Sequence, residues 1–131
     1  MLAYLAPEFV AGLDLSSCPV ALLLDQALND AANRRQSKAD NQKTKTALEL
    51  ESPAATAALL SLAGVNTVVL NQWGASFATN SRACTEMFPL LKKGVCVGEA
   101  LTQVCRSQDA KLKLRARINA VVYGLPGVGM K

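Results

Sequence analysis

One short stretch constrains this chain more than any other: Ser52-Pro53, the run AATAALLSLA, Gly64, then VNTVVL from Val65 to Leu70. Ser is a preferred N-cap and Pro is favoured at the first helical position. The Ala/Leu run has high helix propensity, and Gly64 suits the residue that ends a helix. The β-branched run then reads as a strand. A helix that stops on glycine and passes at once into an apolar strand is half of a βαβ unit. The chain therefore reads as α/β.

The remaining elements follow from the same rules. Pro19 to Leu24 (PVALLL) is continuously apolar, the pattern of a strand buried on both faces. Residues 29–51 are polar and read as a long surface loop within the domain. After the strand exit Asn71–Phe77, Ser76 or Thr79 can cap a helix. Its apolar stripe is Cys84, Met87, Phe88 and Leu91, with Pro89 expected to kink it and Gly94 to end it. A second helix sets Val97, Ala100, Leu101, Val104 and Cys105 on one face. Asp109 to Arg117 continues as a basic helix or an extended connection. Ile118 to Tyr123 reads as the last strand, and the glycines and proline of 124–129 as a loose tail. The order strand, helix, strand, two helices, strand predicts a mostly parallel sheet flanked by helices. Three strands make an incomplete sheet with an edge to be covered. The 131 residues read as one domain, or the C-terminal part of a larger one.

Composition excludes several functions. The chain has no histidine, so by itself it cannot form a Ser–His or Cys–His pair, nor a usual zinc site. Its four cysteines, Cys18, Cys84, Cys96 and Cys105, show no C-x-x-C spacing and read as reduced, buried thiols of a cytosolic protein. Neither a cofactor nor a metal is implied. The longest uncharged apolar stretch, Ser52 to Val69, is broken by Pro53, Gly64 and Asn66, which argues against a membrane span. Met1 to Val10 lacks the basic start of a signal peptide. The net charge of +4 is uneven: residues 106–117 alone carry Arg106, Lys111, Lys113, Arg115 and Arg117 against Asp109. That run is a solvated helix end or a docking surface for an acidic partner. Aromatic residues are not interleaved with it, which argues against nucleic acid. Gly127-x-Gly129 has no helix after it and is no nucleotide motif.

Ala63-Gly64, Val68 and Trp73, followed by Leu90 to Gly94, Glu99-Ala100-Leu101 and Asn119 to Gly124, form a pattern that extends over roughly residues 13–125. It resembles the C-terminal half of the CHAT domain, a caspase-like family often attached to tetratricopeptide repeats. The resemblance implies part of a caspase-like three-layer sandwich. It also implies a His–Cys dyad, with the cysteine following the strand that is Val20 to Leu24 here. Those positions hold Leu24, Asp25 and Gln26, with no thiol, and Cys18 lies before the strand. Catalytic groups of open α/β sheets sit at the carboxyl ends of strands. The acidic pocket that the family carries after its Trp is replaced by Gly74, Ala75, Ser76 and Phe77. Asp25 as a catalytic carboxylate would need a second acid, and the nearest in sequence is Asp30.

The expectation is a non-catalytic pseudo-peptidase: a structural and interaction module of a larger assembly. Its partners would be helical-repeat, tetratricopeptide-like domains or neighbouring subunits, in a cytoplasmic, cytoskeletal or ciliary setting, with no membrane. Trp73, Ser76 and Phe77 stand at the pocket-equivalent positions. The alternative is an active CHAT-type cysteine peptidase whose dyad is completed outside this chain. A small phosphate-binding domain ranks last, since no glycine-rich loop follows a strand.

Overall fold

The computed structural model describes residues 7–24, 38, 41–44, 52–107 and 119–129. In chain order its elements are α1 (Pro7–Ala11), β1 (Val20–Leu23), α2 (Pro53–Leu62), β2 (Thr67–Asn71), α3 (Phe77–Lys92), α4 (Val97–Ser107) and β3 (Ala120–Gly124). The fold is mixed α/β: a small three-stranded mixed sheet with four helices among the described residues. Much of the polar stretch 29–51 lies outside them, as does the connection before β3.

The strands lie in the order β1-β2-β3. β1 pairs parallel to β2, with Val20 opposite Thr67, and β3 pairs antiparallel to β2, with Val69 opposite Val122. The mostly parallel sheet expected from the element order is thus corrected at β3. β3 starts beside the carboxyl end of β2, where the Asn119 carbonyl accepts from the Gln72 N–H at 2.9 Å, and so runs back along it.

Each face of the sheet has its own core. On one, Val69 of β2 packs with Ala83, Met87 and Leu91 of α3 and Val97, Ala100 and Val104 of α4. On the other, Val68 and Leu70 pack with Val10 of α1 and Ala57 and Leu60 of α2. Alternation along β2 sends successive side chains to opposite faces. Burying a side chain of this size fully is worth roughly 1.5–3 kcal/mol, so β2 ties both cores together.

The buried strand is not the one the apolar run suggested. Every residue of β2 is buried, whereas every residue of β1 is half-buried, because β1 lies at an edge of the sheet. Phe88 is corrected as well: Met87 and Leu91 are buried with Asn80 and Ala83, but Phe88 is 47% exposed. The four cysteines are half-buried, not fully buried, and no disulfide joins them.

The caps follow the sequence. Ser52 Oγ accepts from the Ala55 N–H at 3.2 Å, and Ser76 Oγ from the Thr79 N–H at 3.1 Å. α3 continues through Pro89 to Lys92 as one helix. Pro89 gives up the one bond its own N–H would have made to the Thr85 carbonyl, while its carbonyl still accepts from the Lys93 N–H at 3.2 Å. The tail is not loose. Carbonyls of Val128 and Pro126 accept from the N–H groups of Val97 and Gly98, satisfying donors that the first turn of α4 leaves open.

Gly64 and Gly124 take φ values of +104° and +97°. A Cβ at Gly124 would lie 2.2 Å from the Asn66 carbonyl oxygen, whereas one at Gly94 (φ +83°) would meet nothing within 4 Å. Gly94→Ala should therefore cost about 1 kcal/mol, the conformational penalty alone. Gly124→Ala should cost on the order of 3 kcal/mol or more, since strain and overlap combine. Urea unfolding of both variants measures the difference; equal losses would refute the close approach of β3 to Asn66.

Candidate functional site

The carboxyl end of β1 and β2, where the resemblance places a nucleophile, is built from amides. Asn71 ends β2 with its side chain on the α3 face. Its Nδ2 donates to Asn80 Oδ1 at 2.9 Å, and Asn80 Nδ2 donates to the Leu24 carbonyl at 2.6 Å. Both asparagines are buried. On the β3 side, Asn119 Oδ1 accepts from the Trp73 N–H at 2.9 Å, and its carbonyl accepts from the Gln72 N–H. Gln72 Nε2 donates to the Tyr123 hydroxyl at 2.9 Å. Buried polar groups are costly unless paired, and these amides pair one another.

The crevice among Leu24, Asn71, Asn80, Leu101, Asn119 and Ala120 holds about 20 Å³, room for about one water molecule. Substrate pockets are more than ten times larger. Thr79 and Cys105 line it too, so a thiol is present, but the chain has no histidine to pair with it. The arrangement splices two strand ends to a helix.

Leu24 is half-buried, and its carbonyl is occupied by Asn80. Asp25 and Gln26 lie outside the described residues. Trp73 is half-buried beside the Asn119 amide, Ser76 is the exposed N-cap of α3, and Phe77 is 77% exposed at its first position. Trp73, Ser76 and Phe77 thus stand around one strand exit without enclosing a pocket. Arg106 is exposed in the last turn of α4; Lys111, Lys113, Arg115 and Arg117 lie outside the described residues. Cys18 lies at the amino end of β1, its Sγ donating to the Val20 carbonyl at 3.4 Å. Among the described residues no group of three His, Cys, Asp or Glu side chains could hold a metal, and no helix is long and apolar enough to cross a membrane.

Sequence reasoning missed the asparagines. Asn80 sits on the buried stripe of α3, four residues before Cys84 and seven before Met87, and an amide at such a position is the one signal that could have revealed it.

A second polar link joins α3 to α4. Glu86 accepts from Ser107 Oγ and from Arg82 Nε, each at 2.6 Å. The Ser107 hydroxyl first, and then Arg82, hold the Glu86 carboxyl below the usual carboxylate range. A depressed carboxylate contributes stability above its unfolded pKa, and that contribution is lost as pH falls through the folded value.

The chain is similar to the cilia- and flagella-associated protein 46 of Chlamydomonas reinhardtii, with 32% identity over 105 residues, or 80% of this chain. It spans about 4% of that protein's length. No protein-family model matches it.

Two predictions follow from the two links. Asn80→Ala leaves the Asn71 amide and the Leu24 carbonyl short of a partner and should cost about 2–3 kcal/mol in urea unfolding. A loss no larger than that of an exposed alanine substitution would show that the amides are incidental. Ser107→Ala should flatten the fall in stability below about pH 4, the ordinary range of a glutamate. Unchanged curvature in the stability–pH profile would remove Ser107 as the cause of the Glu86 shift.

Proposed function

We propose that the chain is a non-catalytic structural module of a ciliary or flagellar multi-subunit assembly, binding neighbouring protein subunits. The observation that carries this reading is the similarity, over 80% of the chain, to a cilia- and flagella-associated protein. The site chemistry agrees with it. The chain has no histidine, and the described carboxyl end of the sheet is occupied by amides that bond to one another. In this reading the CHAT-like pattern is the remnant of a peptidase fold kept for its surfaces, with Leu24, Asp25 and Gln26 replacing the nucleophile. Its partners in this reading are tetratricopeptide-like repeat domains or other neighbouring subunits of the assembly.

The test is placement. The tagged full-length protein, expressed in a ciliated cell, should lie along the axoneme and stay there after detergent removes the membrane. A diffuse signal or full extraction would refute the assembly role. Catalysis is tested separately by iodoacetamide labelling followed site by site. All four cysteines should react at the pace of ordinary or shielded thiols; one cysteine reacting far faster would support a peptidase nucleophile instead.

A further inference from the structure

We propose that the outer edge of β1 docks an extended strand of a separate protein, apolar at alternate positions and acidic at one end. The inference rests on the reading of the chain as an interaction module and names the surface and its partner's chemistry.

The edge is defined by its hydrogen bonds. The Pro19 carbonyl accepts from the Thr67 N–H at 3.1 Å. With the observed register, Pro19, Ala21 and Leu23 therefore turn their peptide groups toward β2, and Val20, Leu22 and Leu24 turn theirs outward. Two outward carbonyls are already used: that of Val20 by the Cys18 thiol at 3.4 Å, that of Leu24 by Asn80 at 2.6 Å. The central residue, Leu22, presents both its N–H and its carbonyl, with no partner among the described residues. Exposed edges are usually blunted by a charge, a proline or a bulge. The four residues of β1, VALL, carry none.

The helix above that edge offers the side-chain contacts. α3 overlies β1, since Asn80 reaches Leu24, while α4 packs against β3. Glu86 marks the flank of α3 that faces α4, because it bonds Ser107. Phe77 is nine residues before Glu86, two and a half turns, and Phe88 lies two residues after it. Both phenylalanines therefore project from the opposite flank, outward past β1, where they are 77% and 47% exposed. Their eleven-residue separation is a rise of about 16 Å, close to the roughly 17 Å of a five-residue strand. An occupant of that length lays alternate apolar side chains along the flank from Phe77 to Phe88.

Charge sets its polarity and rules against a second copy. Lys92 Nζ stands 5.6 Å from the Phe88 ring centroid, so the flank ends in a cation over an aromatic face. Lys92 has no acidic partner among the described residues. α3 runs opposite to β1, which puts Lys92 level with the strand's amino end. An acidic residue at the start of a parallel partner strand would meet it. Another copy of this chain carries the same net +4 and offers no acid within VALL.

The experiment is an NMR titration of the ¹⁵N-labelled chain with the blocked peptide acetyl-Glu-Val-Thr-Val-Thr-Val-amide. At about 1 mM peptide, the Leu22 amide should shift and its hydrogen exchange should slow. The same peptide N-methylated at alternate residues, which deletes the backbone bonds, should not bind. Phe88→Glu, an exposed position, should weaken binding by roughly tenfold, the scale of one aromatic anchor, and should leave the rest of the spectrum in place. An unmoved Leu22 amide, equal binding of the N-methylated peptide, or full binding by the Phe88→Glu variant would each overturn the proposal. So would self-association through β1 in sedimentation. An axonemal location with any of these results sinks the strand-docking inference alone; loss of the axonemal location sinks the module reading beneath it.

Discussion

The structure depends on the two-sided burial of β2. Val68 and Val69 are fully enclosed on opposite faces, and Thr67 and Asn71 close the ends. Two helix layers are thereby held to one strand: α1 and α2 on one side, α3 and α4 on the other. A side chain removed from β2 would weaken one core directly, and the other through the position of the strand. β1 and β3 complete the pairing of β2 and are themselves only half-buried.

That geometry explains why polar chemistry gathers where the strands end. A buried strand must hand its last peptide groups to something other than water. At the carboxyl end the amides of Asn71, Asn80 and Asn119 take that role. At the amino end, Thr67 Oγ donates to the Leu125 carbonyl at 2.7 Å, and the Leu125 N–H donates to the Asn66 carbonyl. Beside these bonded amides the Cys105 thiol lines a crevice with room for about one water molecule. Exposed apolar side chains are spread over several elements: Phe9 on α1, Leu62 on α2, Phe77 and Phe88 on α3, and Leu125 after β3.

Local signals in the sequence carried over well where they act within one element. Ser52 and Ser76 cap their helices because the cap bond spans three residues, and Gly64 and Gly94 end them because a positive φ is a single-residue requirement. In the stripe Val97, Ala100, Leu101, Val104 and Cys105, the first, second and fourth are buried, and Leu101 and Cys105 are half-buried. Readings that needed a partner fared less well. A continuous apolar run such as Pro19 to Leu24 cannot tell a central strand from an edge strand, and its residues are only half-buried. Phe88 and Met87 are adjacent and both apolar, and spacing alone placed them on one stripe. The candidate positions Leu24, Trp73 and Phe77 do stand near one strand exit, but their amide neighbours were invisible because asparagine in a sequence reads as a turn.

What the sequence determined by itself was the alphabet of the fold: helices, strands, their ends, and the absence of histidine chemistry within this chain. Each of these is set by backbone propensity, by hydrogen bonds reaching a few residues, or by simple presence. Only the tertiary structure decided which strand is central, that β3 runs antiparallel, that Asn80 reaches Leu24 across 56 residues, and that Phe77 and Phe88 share the flank away from α4. Those outcomes depend on the end of the sheet at which a strand enters and on which face each helix finds already covered. They are properties of packing between distant segments, and no short window of sequence contains them.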